Sequence, residues 1–301
     1  MQGQLSTFSL VAVLAITCVP SALAQQPQEQ PVRAITRITG DLYRVQNNDH
    51  YTVFLVTPAG IILADPINVE AANWIKTQLA ERFPNTPVKY VLYSHHHQDH
   101  ASGAAVFNET AELVAHENFN AALKASSGQN ADAPRRYEAV VPPESTYSGR
   151  RTITLDGKTV QLIHPGPTQH ARDLTVLFFP AERVVFGADF MAVKTVPGSN
   201  TLAGGAPVAD YVNAIKAVEA LDFTVAAPAH GPVGTKADIV AHRNYFENLG
   251  ARVSAGIAAG RTVAQLQAAA IMDEYKTWIE YDEDNDVNIA NVYRTLSAQK
   301  R

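Results

Sequence analysis

Short apolar-rich runs bounded by turn residues open the chain, at Leu42–Val45, Thr52–Thr57 and Ile61–Ala64, with Pro58-Ala59-Gly60 between the last two. They predict a meander of strands. The period then changes. Ala72, Ile75, Leu79 and Phe83 recur at helical spacing between Val69 and Phe83, and Pro84 stops the pattern, which predicts a helix packed on the sheet. A buried-looking strand, Val88–Tyr93, runs straight into Ser94-His95-His96-His97-Gln98-Asp99-His100. The histidines are therefore expected in a loop at a strand's carboxyl end. Downstream, Glu112–Ala115 reads as a strand and residues 128–143, polar and proline-containing, as a mobile loop. Thr152–Leu155 and Thr159–Ile163 flank Asp156-Gly157, a strong hairpin signal, and Leu174–Phe179 with Arg183–Phe186 make a second pair. A helix around Tyr211–Leu221, a strand at Thr224–Ala227 and helical patterns from Ala237 onward complete the alternation. The pattern predicts one α/β domain with helices outside two packed sheets.

The first residues differ in kind. An apolar run, Phe8–Val19, precedes Ala22-Leu23-Ala24, which has the small-x-small form of a cleavage site, although no Lys or Arg precedes the run. Residues 1–24 are expected to be a signal peptide, and residues 25–31, polar and proline-containing, a disordered linker. The folded domain is then residues 32–301, and the expected location is periplasmic or secreted. The run is too short for a membrane span, which needs about 20 apolar residues. The sole cysteine, Cys18, falls inside this leader, so the mature chain would hold no disulfide.

Apolar residues make up 46% and charged residues 18%, which excludes disorder as the dominant state. A net charge of -5 argues against a nucleic-acid partner, which demands concentrated Lys and Arg. A small-molecule substrate is the expected partner.

Zinc takes neutral imidazoles and carboxylates, and a catalytic site keeps a position open for water. In an extended segment residues two apart point the same way, so His95, His97 and Asp99 would share one side while His96 and Gln98 face the other. His100 follows where the chain should turn into a helix near Ala101, and its ring can approach from another angle. A second cation becomes feasible. The competing reading is a polar, solvated loop, and it suits His96 best.

The spacing HxHxDH of His95, His97, Asp99 and His100 resembles the signature of the metallo-β-lactamase superfamily. The resemblance implies a four-layer αββα sandwich with C-terminal helices and a site for two zinc ions. Gly166-Pro167-Thr168-Gln169-His170 resembles the family's Gly-Pro-x-His element with one extra residue, which makes His170 the third histidine of the first zinc and His164 the competitor. Gly187-Ala188-Asp189 resembles the position of the bridging carboxylate, against the alternative of an Asp that caps a turn. Pro228-Ala229-His230-Gly231 resembles the last element. By resemblance, then, His95, His97 and His170 hold one zinc, Asp99, His100 and His230 the other, and Asp189 bridges them. His50, His96, His116, His164 and His242 are expected in loops or at the surface, with only His50 near the site.

This resemblance implies a zinc-dependent hydrolase that attacks an ester, lactone, thioester or amide carbonyl, with Asp99 as the catalytic residue that orients the nucleophile and shuttles its proton. Asp189 stands where the best-known metallo-β-lactamases carry a non-bridging cysteine or serine, and so resembles glyoxalase II-like thioesterases and lactonases. The alternatives are a class B β-lactamase acting on β-lactam antibiotics, an iron-dependent dioxygenase of the same fold, and a non-catalytic metal-binding protein. Asn47–Tyr51 and Lys194 are weak candidates for the substrate rim, each better read as solvated surface, since charged and polar side chains are mostly exposed. Gly157-Lys158-Thr159 ends like a phosphate loop but sits in a hairpin, and Asp282–Asp286 starts like a calcium loop but lacks its glycine, which leaves an acidic approach to a helix.

Overall fold

Four antiparallel strands, β1 (Arg33–Thr39), β2 (Leu42–Asn47), β3 (His50–Thr57) and β4 (Gly60–Ala64), open the computed structural model as a meander. It describes residues 30–168 and 170–299. The expected leader, with Cys18, and residues 25–29 of the expected linker lie outside the described residues. After helix α1 (Val69–Arg82) the sheet continues in parallel with β5 (Val88–Leu92), β6 (Glu112–His116) and β7 (Ser145–Tyr147), so that spatial order follows chain order. Three short helices sit in the crossovers: α2 (Gln98–Ala101), α3 (Phe119–Ser127) and α4 (Ala133–Tyr137). A second sheet comprises β8 (Arg150–Leu155), β9 (Lys158–Ile163), β10 (Val176–Phe179) and β11 (Val184–Ala188). Helix α5 (Val208–Glu219) carries the chain to β12 (Val225–Pro228), parallel to β11, and β13 (Gly234–Thr235) forms the edge. Helices α6 (Lys236–Ala258), α7 (Val263–Ala268) and α8 (Tyr281–Gln299) follow.

Apolar side chains sort into three layers of contact. Leu42, Leu55, Ile62 and Leu92 of the first sheet meet Leu162, Leu177, Phe179 and Phe186 of the second, and this is the inter-sheet core. On the outer face of the first sheet, Phe54, Leu63 and Val91 pack on Ala72, Ile75 and Leu79 of α1. On the outer face of the second, Val176, Phe178 and Val185 pack on Ile215 of α5 and Phe246 of α6, with Ile289 of α8 in the same cluster. The result is the αββα sandwich. Among the described residues no helix is long and apolar enough to cross a membrane.

Several local features depart from the expected pattern. Strand β1 has no fully buried side chain, so its hydrophobic signal is weak, and its order comes from backbone pairing with β2. Residues 128–143 are not uniformly loop: α4 forms there, with a proline in its first turn, where the missing N–H is harmless. The short strands β7 and β13 owe their existence to neighbouring edges. Asp282–Asp286 lies inside the start of α8 instead of before it, where acidic side chains complement the helix dipole. Asp156 and Gly157, at φ 48° and 78°, form the two-residue turn that their types favour.

One glycine ties this fold to the histidine loop. A Cβ on Gly103, two residues after α2, would lie 2.5 Å from the carbonyl oxygen of Pro66 and 2.7 Å from that of Asn68. Neither backbone atom can swing aside. Gly103→Ala is expected to cost about 1–3 kcal/mol of stability, in the range of an overpacked core. Urea denaturation with an unchanged midpoint would show that this approach carries no weight.

Candidate metal centre

All seven sequence-selected residues come from segments that follow strands. His95 and His97 leave β5, Asp99 and His100 occupy the first turn of α2, His170 sits in the loop after β9, Asp189 follows β11, and His230 follows β12. The chain does not stay extended through Asp99, as the alternation argument expected: His97 keeps extended dihedrals as the residue capping α2, and helix begins at Gln98. That turn separates the ligands. His95 and His97 face one cluster, and Asp99 and His100 another.

Asp189 is aimed by a distortion of its strand. The register of β11 against β12 shifts between Phe186 and Ala188, and Ala188 has φ 46°, a left-handed conformation that costs a residue with a Cβ about 1–3 kcal/mol. Such a bulge re-aims the side chain that follows it. Here it sends the Asp189 carboxylate between the two histidine groups.

In the first group His95, His97, His170 and Asp189 each offer an atom within 4.8 Å of the others. His170 Nε2 lies 3.1 Å from His95 Nε2 and 3.3 Å from Asp189 Oδ2. In the second, Asp99, His100, His230 and Asp189 converge in the same way. His100 Nε2 and His230 Nε2 lie 3.1 and 3.2 Å from Asp189 Oδ1. Each carboxylate oxygen of Asp189 therefore faces its own set of imidazoles.

These distances test whether a metal fits. Zn–N and Zn–O bonds of about 2.0–2.1 Å in a tetrahedron put ligand atoms about 3.3 Å apart. The observed separations bracket that edge. Moreover, His100 Nε2 and Asp189 Oδ1 are buried without a hydrogen-bond partner, although they lie 3.1 Å apart. Buried polar atoms are otherwise nearly always paired. Atoms aimed at a common point suit a shared cation better than a hydrogen bond.

The electrostatics of the first cluster agree, whereas in the second burial is outweighed by Asp189 and Asp65, which raise His100 well above its usual pKa. Burial drives His95 well below its usual pKa and His97 down to about 3, with neighbouring imidazoles adding to both, so these rings are neutral donors of lone pairs. Burial would raise the Asp189 carboxyl, but His100, His170 and His230 overcome it and hold it well below the carboxylate range.

Residues that the sequence did not single out hold the ligands. Asp65, fully buried at the end of β4, accepts hydrogen bonds from Ser94 N at 2.7 Å and from Ser94 Oγ, and its Oδ2 lies 3.1 Å from His100 Nδ1. A proton on His100 Nδ1 leaves the Nε2 lone pair facing the site. An acidic residue directly after an all-apolar strand was the available signal. His96, expected at the surface, is buried instead: its Nδ1 lies 2.8 Å from Asp173 Oδ1 and its Nε2 2.8 Å from Ser126 Oγ. This chain fastens the histidine loop to α3 and to the segment before β10. His116 and His242, also expected outside, are 3% and 2% exposed, because their rings pack beside His164 and Phe246.

His164 hydrogen-bonds Leu174 O through Nδ1 and joins neither cluster, so His170 is the histidine brought to the site. His50 Nε2 lies 3.3 Å from Asp99 Oδ2, and its backbone bridges to His230. Of Asn47–Tyr51, Asp49 lines the adjoining cavity, whereas Lys194 is exposed and does not.

Comparison with known proteins agrees with this geometry. The profile of the metallo-beta-lactamase superfamily matches residues 69–230, from the start of α1 to the last histidine of the site. The chain belongs to the metallo-β-lactamase superfamily. Within it, the chain is 29% identical over 163 residues to the 2,4-dinitroanisole O-demethylase subunit alpha of Nocardioides sp., covering 53% of this chain and 47% of that protein. It is 25% identical over 215 residues to the linear primary-alkylsulfatase of Pseudomonas sp., covering 58% and 40%. The chain thus spans less than half the length of either relative. A solved metallo-β-lactamase from Pontibacter korlensis superposes with a TM-score of 0.60 at 19% identity, covering 72% of this chain and 100% of that one, a likeness of fold alone.

Two outcomes follow for this superfamily member. Asp65→Asn turns one acceptor towards a donor and should weaken metal affinity about 10–100-fold, read by chelator competition; unchanged affinity would remove Asp65 from the support of His100. Burial also pushes the His242 pKa down to about 4 from 6.5. As pH falls, the unfolded chain takes up that proton first, so the contribution of the neutral ring is complete above pH 6.5 and lost towards pH 4. In His242→Leu the metal-free protein should lose less stability across that window than the parent; superimposable profiles would contradict it.

Proposed function

We propose that the chain is a zinc-dependent hydrolase that would use metal-activated water to cleave an ester, lactone, thioester or amide. The observation that carries this reading is the division of Asp189, with Oδ2 towards His95 and His170 and Oδ1 towards His100 and His230. His95, His97 and His170 would hold one ion, Asp99, His100 and His230 the other, and Asp189 both. Bound zinc supplies Lewis acidity, lowering the pKa of water from about 15.7 to roughly 7 and polarising a carbonyl oxygen.

The chain's own residues supply orientation and proton handling. His50 Nε2, 3.3 Å from Asp99 Oδ2, steadies a carboxylate that stays ionised despite burial. Asp99 orients the attacking water and accepts its proton at a carboxylate oxygen. Water adds to the carbonyl carbon, the bond to the leaving oxygen, nitrogen or sulfur breaks, and the proton passes to the leaving atom.

An aspartate at position 189 supports esters and lactones over β-lactam antibiotics. Two relatives are named as an alkylsulfatase and an O-demethylase, both concerned with a bond to oxygen, which also favours esters over amides. The leader pattern of residues 1–24 supports a periplasmic or secreted location.

The test is zinc quantitation paired with hydrolysis of an aryl ester, a lactone, a cephalosporin and an alkyl sulfate. His97→Ala should lose zinc, and Asp99→Ala should lower kcat/KM about 10²–10⁴-fold. Undiminished turnover in either variant sinks the assignment. Selective cephalosporin cleavage would favour the class B alternative, and tightly bound iron with oxygen uptake would favour the dioxygenase.

A further inference from the structure

Beside the metal clusters lies a cavity of about 460 Å³, within the size range of small-molecule sites. One wall is apolar, formed by Met191, Val196, Pro197 and Ile279. Ile279 reaches it from the C-terminal part of the chain. Its N–H donates to Lys194 O at 2.9 Å, and its carbonyl accepts from Val196 N at 2.9 Å. Helix α8 clamps the same wall: Asn288 Nδ2 donates to Pro197 O at 2.6 Å, and Asp284 Oδ1 accepts from Ser199 N at 2.9 Å. Held this firmly by its backbone, Ile279 still leaves 53% of its surface exposed.

The polar groups of the cavity are uneven in charge. Outside the metal clusters its carboxylates are Asp49 and Glu280, and none of its described lining residues is a lysine or arginine. His242 lines it too, 2% exposed and with Nδ1 unpartnered. Burial keeps that ring neutral, so it offers an acceptor and no positive charge. Glu280 follows Ile279 directly at φ 63°, a left-handed conformation that marks constrained positions near functional sites. Among the described lining residues, nothing outside the metal clusters carries a positive charge to neutralise a second negative charge on a substrate.

Resting on the hydrolase reading above, we propose that this cavity selects uncharged esters with a short apolar group, with Ile279 as the contact for that group and Glu280 as the residue that discriminates against anionic substrates. Specificity of this kind comes as much from the repulsive element as from the attractive one.

Matched aryl esters of butyrate and hemisuccinate test it on the zinc-loaded full chain. The parent should favour butyrate in kcat/KM by at least about tenfold, and Glu280→Lys should bring the two within about threefold. Ile279→Ser should raise KM for butyrate relative to acetate. Equal rates in the parent, or a ratio unmoved by Glu280→Lys, would overturn the proposal. The corresponding aryl ketones, in which a methylene replaces the ester oxygen and no group can leave, carry the same comparison without turnover when titrated by calorimetry. Preferential binding of the butyrate analogue without cleavage of any ester, lactone, thioester or amide would defeat the hydrolase reading and leave charge selection standing. Equal binding of the two ketones would overturn charge selection itself.

Discussion

A carboxylate taken out of water loses several kcal/mol of solvation unless charges or hydrogen bonds replace it. Asp189 gathers imidazoles around it, His100 and His230 at one oxygen and His170 at the other, yet its Oδ1 has no hydrogen-bond partner, which leaves the compensation to a shared cation. That arrangement asks much of the surrounding protein. Five histidines and two carboxylates must arrive at one point from four separate segments, and each unpaired lone pair there would otherwise be a cost. The bulge before Asp189 and the left-handed Ala188 are where the backbone absorbs the strain of this aim.

Rigid supports make the aim repeatable. Asp65 locks Ser94 and His100 together, and the close approach of Gly103 to Pro66 and Asn68 presses the same two segments into contact. On the other side of the histidine loop, His96 is anchored between Asp173 and Ser126. Adjacent side chains of the histidine loop thus divide their labour: His95 and His97 turn to the metal cluster, and His96 turns inward to hold the loop.

The second sheet and its helices add the cleft beside the centre. Residues 194–196 pair with Ile279 through the backbone, and side chains of α8, Asn288 and Asp284, bind the backbone of the following loop, so the C-terminal part of the chain is joined to the wall of the cavity. A wall built by such long-range contacts has a shape that local composition does not encode. The same holds for His116 and His242, whose burial follows from packing against His164 and Phe246.

By itself the sequence determined the layered α/β architecture, because periods of two and 3.6 report which faces are buried, and it determined the family, because His95, His97, Asp99 and His100 stand at a spacing that few other structures require. It also drew His170, Asp189 and His230 into the same candidate set through their place after strands. Only the tertiary structure decided how the chain achieves the two-cluster division that the resemblance implied, since the turn into α2 at Gln98 and the bulge at Ala188 arise from packing and register, not from residue type. It alone revealed the roles of Asp65, signalled only by its place after an apolar strand, and of Asp173 and Ser126, which carry no signal; all three become meaningful by hydrogen bonds to partners about 30 to 80 residues away. The cleft was decided there too, because its wall unites Met191, Val196 and Ile279, residues whose proximity no local pattern announces.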